Sequence, residues 1–456
     1  MKNITFLAFC LFITVNIHAQ CWQSIVAGNA HTLALKSDGS LWAWGYNMNG
    51  QLGIGNFINK NRPLQVGTQT NWQTIYAGFN HSLALKTDGS IWAWGYNAWG
   101  QLGDGTTTDQ KTPVQTGANT NWKSIAAGAE HSLAIRTDGT LWAWGYNTSG
   151  QLGDGTIVSK KLPIQVGTDA NWQSIVGGAG HTVALKTDGS LWAWGNNDYG
   201  QLGDGTMIGK KTPVRVGTDA NWKSISAGVG HTIALKTDGS LWTWGRNDYG
   251  QLGNGLNTNT SIPARLGTET NWQSLETGNF TSFAIKTNGT FWTWGINNLG
   301  QLGDGTFTNK DHPIQMGTGT NWKYVGAGLT HTALIKTDNH LWVTGSNTEG
   351  QLGDGTNAAK YNFIEISCLN TGVSEDKTAE MGYIYPNPVS EQLHLVLPSA
   401  TKYSYTITNF MGQTVVTNPI LSDFTNIDVH SLPSGYYLLT TQNEAGKRWA
   451  MPFVKY

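Results

Sequence analysis

Histidine recurs every fifty residues along most of the chain. The series shares one register, which Thr281 breaks, and consists of His31, His81, His131, His181, His231 and His331. Imidazole is a common zinc ligand, but each ligand must lie about 2 Å from the metal, whereas packed sheets stand about 10 Å apart. If each repeat is a separate sheet, one histidine per repeat cannot converge on a metal. We therefore predict no metal site and interpret each imidazole as tying its sheet to adjacent backbone.

Aspartate also recurs, in Gly-Asp-Gly loops, at Asp104, Asp154, Asp204, Asp304 and Asp354. Calcium takes six to eight oxygen ligands, and each loop supplies one carboxylate, so a turn explains these residues better. No nucleophile, base and orienting group stand apart from the repeat, and no lysine follows the glycine-rich loops at the spacing of a phosphate-binding loop. The sequence predicts neither an enzyme nor a cofactor.

The elements that position these residues repeat with the same period. Gly-Gln-Leu-Gly begins at residues 50, 100, 150, 200, 250, 300 and 350. In the second copy, residues 72–77, 82–86 and 91–94 alternate as short strands do, and Thr87-Asp88-Gly89-Ser90 predicts a hairpin turn between the last two. A fourth extended piece begins at Pro113, which suits an edge strand. Seven copies of four strands predict a β-propeller.

Tryptophan recurs at three positions in each copy, at Trp72, Trp92 and Trp94 in the second, and Thr344 replaces the last of them in the seventh. Because the indoles keep the repeat register, we interpret them as the packed core between sheets and not as a light-sensing cluster.

The pattern Ala-Gly-x-x-His-Ser-Leu-Ala-Leu-Lys-Thr-Asp-Gly-Ser-x-Trp-x-Trp-Gly-x-Asn-x-x-Gly-Gln-Leu-Gly-Asp-Gly resembles the repeat of the regulator of chromosome condensation family. The resemblance spans some 350 residues of this chain. It implies a seven-bladed propeller with a binding surface, and relatives use loops on one propeller face to hold or inhibit proteins. The nucleotide-exchange activity of the nuclear founding member is not expected of an exported chain.

Both ends of the chain indicate export. Lys2 precedes an apolar run that is too short to span a bilayer, and Ala19 suits a signal-peptidase site, so residues 1–19 are interpreted as a signal peptide. No later segment is apolar enough to cross a membrane.

The net charge of −1 and the 12% of charged residues give no reason to expect nucleic acid as a partner.

The mature chain keeps two cysteines, Cys21 and Cys368, at the two ends of the repeats. By their registers, docking of the seventh copy on the first brings the two sulfurs together, so we predict a disulfide that closes the ring. Two independent thiols are the alternative, because disulfide geometry is strict.

After the propeller (residues 20–369) and a polar linker (370–382), residues 383–456 follow a different pattern. Tyr385-Pro-Asn-Pro, alternating Leu393, Leu395 and Leu397, and Leu432-Pro-Ser-Gly-Tyr436 resemble the C-terminal sorting domain of type IX secretion cargo, a small β-sandwich. The resemblance implies passage through the periplasm to the outer surface or the medium, and recognition by the type IX machinery.

Positions that differ between copies are those that the fold does not dictate. They lie just before Gly-Gln-Leu-Gly or just before the histidine, and the candidates for binding are Phe79, Trp99, Tyr199, Tyr249, Phe280 and Leu299. Large side chains on loops around a ring are typical of a binding face. We expect an all-β monomer that binds an extracellular protein or glycan. A structural or adhesive surface component without a single ligand is the alternative, and a hydrolase using the central channel is the least favoured.

Overall fold

The computed structural model describes residues 22–366, 383–385, 389–396, 403–409, 413–420, 424–443 and 448–455. The chain divides into two compact units, residues 1–369 and 370–456. The described residues form strands, turns and bends, and none of them lies in a helix. The predicted signal peptide, both predicted disulfide cysteines and the whole predicted linker lie outside the described residues.

Seven four-stranded antiparallel sheets form the first unit, and in each the strand order follows the chain. We number these blades 1 to 7. The first strands are Trp22–Ala27, Trp72–Ala77, Trp122–Ala127, Trp172–Gly177, Trp222–Ala227, Trp272–Thr277 and Trp322–Ala327. The second strands are His31–Lys36, His81–Lys86, His131–Arg136, His181–Lys186, His231–Lys236, Thr281–Lys286 and His331–Lys336.

The third strands are shorter, and the fourth strands form the outer edge of each blade. The third strands are Leu41–Gly45, Ile91–Gly95, Leu141–Gly145, Leu191–Gly195, Leu241–Gly245, Phe291–Gly295 and Leu341–Gly345. The fourth strands are Lys60–Gln65, Gln110–Gln115, Lys160–Gln165, Lys210–Arg215, Thr260–Arg265, Lys310–Gln315 and Lys360–Ile366. The predicted propeller and the predicted edge strand at Pro113 are confirmed, although that strand begins three residues earlier, at Gln110.

The Asp-Gly turns form as expected, with one difference. In blade 2 the Asp88 carboxylate accepts hydrogen bonds from the Ser90 amide (2.9 Å) and hydroxyl (2.6 Å). Only Gly89 of this pair has positive φ (+77°), because the carboxylate, and not a left-handed aspartate backbone, closes the turn. In blade 7, Asn339 takes the place of this glycine at φ +65°.

Six of the seven seams between blades are held by the indole of a third strand. Trp94 is fully buried, and its Nε1 donates to the Gln51 carbonyl of blade 1 (2.8 Å). The Ser82 hydroxyl donates to the same carbonyl (2.8 Å). A Cβ on Gly53 would lie 2.8 Å from the Trp94 Nε1, so the loop can pass the indole only as glycine. Five further seams repeat the indole bond.

The ring closes by the same bonds. Trp44 in blade 1 donates to the Gln351 carbonyl of blade 7 (2.9 Å), and the Thr32 hydroxyl donates to that carbonyl as well (2.9 Å). The apolar cluster at this seam combines Trp22 and Trp44 with Leu341 and Leu352. The sheets therefore form a closed propeller and not an open superhelix.

The seam between blades 6 and 7 differs because Thr344 replaces the indole. Phe363, at a position that is proline in the other six blades, turns its ring toward blade 6, where it lies 6.0 Å from the ring of Phe291. A Cβ on Gly303 would lie 2.4 Å from the Phe363 ring, in the relation that Gly53 has to Trp94. Two substitutions within one blade thus offset each other.

The second unit is a β-sandwich, as predicted, and its described residues form seven strands in two sheets. One sheet has three strands, Tyr383–Tyr385, Gln392–Val396 and Phe424–Asp428; the other has four, Tyr403–Asn409, Thr414–Ile420, Gly435–Asn443 and Arg448–Lys455. Leu393 and Ile427 from the first sheet pack with Ile407, Leu439 and Phe453 from the second in one core.

Candidate functional site

One face of the propeller carries the positions that vary between blades. Two connections in each blade form this face: the one between the first and second strands, and the one between the third and fourth strands. A hydrogen bond joins the two connections in blade 1, where the Tyr46 amide donates to the Ala30 carbonyl (2.8 Å). We call it the loop face. All six residues predicted for binding lie on it. The opposite face carries the Asp-Gly turns and the links between blades.

Three of the predicted residues come together around an arginine. The Arg246 guanidinium carbon lies 4.6 Å from the ring centre of Tyr199, 5.1 Å from that of Phe280 and 5.9 Å from that of Tyr249. The Tyr249 and Phe280 rings are themselves 5.3 Å apart. The Arg246 Nε donates to the Asp248 carboxylate at 2.6 Å. We call these four aromatic and basic residues of blades 4 to 6, Tyr199, Arg246, Tyr249 and Phe280, the arginine cluster.

Trp99 belongs to a second group, at the seam between blades 2 and 3. Its ring lies 4.8 Å from that of Tyr146, and its indole contributes a hydrogen bond that favours the ionised form of Glu130. Burial outweighs this contact and raises the pKa of Glu130 above its usual value. Trp99 remains 39% exposed, so its indole both contacts the next blade and faces solvent.

Phe79 and Leu299 are not brought into either group. Phe79 lies at the mouth of the central channel, where its backbone amide donates to the Ala129 carbonyl (3.0 Å). Leu299 is 39% exposed on the loop of blade 6. The six predicted residues therefore share a face but do not form one continuous site.

The central channel is a cavity of about 460 Å³ lined by the first strands of all seven blades. Tyr76 and Glu276 both line it. Burial raises the pKa of Glu276 to about 7, although interactions with the Thr277 amide and the Ser226 hydroxyl favour its ionised form. Burial, together with the Glu276 charge, raises the pKa of Tyr76 to about 12.

The histidines bind side chains, not the backbone that the sequence analysis expected. His31 Nε2 lies 3.1 Å from the Ser82 Oγ of the next blade. Since the Ser82 hydroxyl hydrogen is directed at Gln51, the imidazole is the donor. Five other histidines make the same contact with a Ser or Thr hydroxyl. Burial lowers their pKa values to about 3, and that of His181 to about 4.

The Gly-Asp-Gly aspartates form turns and ion pairs. Asp154 Oδ1 accepts from the Thr156 amide (2.9 Å), and its Oδ2 lies 3.3 Å from the Lys160 Nζ. Among the described residues, no three His, Cys, Asp or Glu side chains lie close enough together to hold a metal ion.

Sequence reasoning missed Arg246, Tyr146, Tyr76 and Glu276. A signal for two of them was available: Arg246 stands where the first three blades have tyrosine, and Glu276 stands where other blades have Val, Ala, Ser, Gly or Tyr. A comparison of all fifty positions, extended beyond the loops, would have selected both residues. Their neighbours across the seams could be identified only in three dimensions.

Several sequence families match the chain. Residues 12–261 match the RCC1-like domain, and residues 238–285 and 288–335 match the regulator of chromosome condensation (RCC1) repeat. Residues 322–351 match a second description of that repeat. Residues 383–451 match the secretion system C-terminal sorting domain.

Solved structures show the same fold at low identity. Human WBSCR16 superposes with a TM-score of 0.65 at 20% identity, covering 72% of this chain and 94% of that one. Yeast RCC1 (Prp20), solved bound to Kap60, gives 0.66 at 22% identity, covering 84% and 91%. Prp20p from Saccharomyces cerevisiae, in a second structure, gives 0.66 at 22% identity, covering 80% and 90%.

A curated relative matches only in part. The ultraviolet-B receptor UVR8 of Arabidopsis thaliana is 48% identical over 44 residues, which is 10% of this chain and 10% of that protein. Among the described residues no helix is long and apolar enough to cross a membrane. The sorting domain indicates secretion to the cell surface or the extracellular space. Since the RCC1-like domain match spans more than half of the 456 residues, the chain belongs to the RCC1-like domain family.

Proposed function

We propose that this protein is a secreted or surface-displayed scaffold that binds an extracellular protein through the loop face of its propeller. The arginine cluster is the observation that carries this proposal. The type IX machinery recognises the sorting domain within residues 383–456 and exports the chain. The propeller acts outside the cell as a monomer and without a cofactor.

The composition of the arginine cluster supports a protein partner over a glycan. Tyrosine and arginine are enriched among the residues that dominate protein interfaces, and they act best where neighbouring side chains hold them in place. The Tyr199, Tyr249 and Phe280 rings surround Arg246 and restrict its motion, and its salt bridge to Asp248 restricts it further. A side chain held in this way loses less entropy on binding.

The repeat itself gives a second reason. None of the four cluster residues contributes to the indole and histidine contacts that join the blades, so the fold does not require them. Tyr199 and Tyr249 both follow an aspartate and both reach across a seam to the next blade. Adjacent seams thus present similar aromatic groups around one cation, which makes a continuous patch rather than scattered exposed side chains.

A protein with this fold has been solved in complex with another protein. That structure is yeast RCC1 with Kap60 bound. That likeness supports the class of partner and not its identity.

Capture from extracellular material tests the proposal. The full secreted chain is immobilised, exposed to culture medium and surface extract, and bound proteins are identified by mass spectrometry. Each candidate is then purified and its Kd measured against wild type, Tyr249→Ala and Trp99→Ala. We expect Tyr249→Ala to weaken binding about 30-fold or more, as removal of an interface hot spot does.

Tyr324→Ala is the matched control, since Tyr324 is also a tyrosine and is 43% exposed near the start of the first strand of blade 7, at the face opposite the loop face. Equal losses in Tyr324→Ala and Tyr249→Ala would count against the loop face. Saturable binding of a purified glycan that Tyr249→Ala abolishes would replace the protein partner with a sugar. Adhesion that none of the variants reduces would favour the structural alternative.

A further inference from the structure

The central channel contains one glutamate in a layer of residues that is otherwise uncharged. At one register of the first strands the seven blades supply Val26, Tyr76, Ala126, Val176, Ser226, Glu276 and Gly326. All of them except Ala126 line the cavity. Six blades form this layer with uncharged residues, so neither the fold nor the seams require a carboxylate there.

Glu276 is harder to ionise in the folded protein than a glutamate in water. Its side chain is partly exposed to the channel, and desolvation by the surrounding protein raises its pKa to about 7. The Thr277 amide and the Ser226 hydroxyl favour its ionised form, but none of the ion pairs among the described residues involves it. Carboxylates in cavities whose pKa is shifted in this way are enriched at functional sites.

Charges elsewhere in the channel leave one side open to a cation. At the turn-face end of the first strands, Lys123, Lys223 and Lys323 are exposed, about 10 Å along the strand from the Glu276 layer. At the loop-face end the equivalent positions are uncharged: Asn29, Phe79, Ala129, Ala179, Val229, Asn279 and Leu329. A cation that enters through the loop-face mouth of the channel therefore passes uncharged residues, and Arg246 on the same face is paired with Asp248.

The neighbours of Glu276 suit a small organic cation. Tyr76 faces the channel from blade 2, nearly opposite blade 6, and its ring packs over the apolar clusters of the two following seams. An aromatic face and a phenol oxygen can both attract an ammonium group. Val26 and Val176 in the same layer can contact a short alkyl chain.

We propose that Glu276 and Tyr76 make the central channel a binding site for a small primary alkylammonium ion, which enters from the loop face. The ammonium group pairs with the Glu276 carboxylate, and the alkyl chain lies among the valines. The site is separate from the arginine cluster and does not depend on a protein partner there.

Titration of the full secreted chain with n-butylammonium chloride, followed by calorimetry and ligand-observed NMR, tests this site. We expect saturable binding at pH 8 and none of n-butanol, which has the same chain without the charge. Because a proton competes for the carboxylate, binding should be about tenfold weaker at pH 6 than at pH 8. Glu276→Gln, which keeps the shape and removes the charge, should weaken binding at least about tenfold and abolish its pH dependence.

Two further variants distinguish binding in the channel from an effect that loss of any carboxylate or phenol would have. Glu130→Gln makes the same change at another half-buried carboxylate whose pKa is raised, and it should bind the amine as wild type does. Tyr76→Phe should weaken binding a few-fold, since the ring remains and the phenol oxygen is lost. Glu276→Gln should fold at least as stably as wild type, because it removes a buried charge. Unchanged binding by folded Glu276→Gln, or no saturable binding by wild type at pH 8, would overturn the proposal.

Discussion

Two seams of the propeller join equivalent sheets but use different side chains. They are the seam between blades 1 and 2 and the seam between blades 6 and 7. At the first, Trp94 fills the interface and His31 donates to Ser82. At the other, Thr344 and Thr281 replace the indole and the imidazole, and Phe363 fills the space from a position that is proline elsewhere. The fold thus requires that side chains fill the space at the seam, but it does not require one particular residue there.

The comparison also separates two kinds of departure from the repeat. Thr344 and Phe363 are paired, because one offsets the volume that the other loses. Arg246 and Glu276 replace no indole or imidazole, and they add contacts across their seams to Tyr199 and Ser226. We infer that departures that replace a seam contact maintain the ring and that departures that replace none carry function.

Acid should destabilise the six seams that contain a histidine. It should not act in this way on the seam between blades 6 and 7, where Thr281 replaces the histidine. The seam histidines have pKa values of about 3 to 4 in the folded protein, below the usual 6.5, so the unfolded state binds more protons. The stability that the neutral histidines contribute is therefore fully present above pH 6.5, and it is lost as the pH falls toward 4. Each histidine contributes up to about 1.4 kcal/mol per pH unit.

Urea unfolding of the wild type between pH 7.5 and pH 5 measures this slope. His81→Gln should reduce it by the contribution of one histidine. An unchanged slope in His81→Gln would mean that this imidazole is not buried in its neutral form.

Truncation of the indole should cost more at a regular seam than truncation of Phe363 at the exceptional one. Trp94 is fully buried, so Trp94→Ala should reduce the free energy of unfolding by about 3 to 5 kcal/mol. Phe363 is only half-buried, and Phe363→Ala should cost about 1 to 3 kcal/mol. Denaturant midpoints of both variants measure the difference, and equal losses would remove the distinction between the seams.

The seam between blades 7 and 1 is regular in its hydrogen bonds, and we propose that Cys21 and Cys368 reinforce it covalently. A disulfide that closes so long a loop contributes about 2 to 4 kcal/mol. Non-reducing peptide mapping should show the two cysteine peptides linked. Recovery of an alkylated, unlinked Cys368 peptide would refute the pairing.

Restoring the missing histidine should make the exceptional seam more regular. Thr332 already donates to the Gln301 carbonyl (2.7 Å), as its equivalents do, so its oxygen can accept from an added imidazole. Thr281→His should stabilise the protein by about 1 kcal/mol at pH 7.5 and by less at pH 5. A lower midpoint at pH 7.5 would show that this seam has repacked around threonine.

Much of the fold could be predicted because the same local sequence pattern occurs in all seven repeats. The spacing of Trp94, the turn at Asp88-Gly89 and the edge proline at Pro113 each indicate local structure. The partner of His31 could not be predicted, since it depends on how one sheet is placed against the next. The grouping of Tyr199, Tyr249 and Phe280 around Arg246 was missed for the same reason.

The paired measurement of stability and binding in Arg246→Ala tests the distinction between seam and loop face most directly. Arg246 lies at the centre of the cluster and makes none of the indole or histidine contacts that join the blades, so its loss should change the free energy of unfolding by less than about 1 kcal/mol. Binding of the extracellular partner should fall by about 30-fold or more. A large loss of stability with unchanged binding by the folded variant would contradict the account, because Arg246 would then belong to the scaffold.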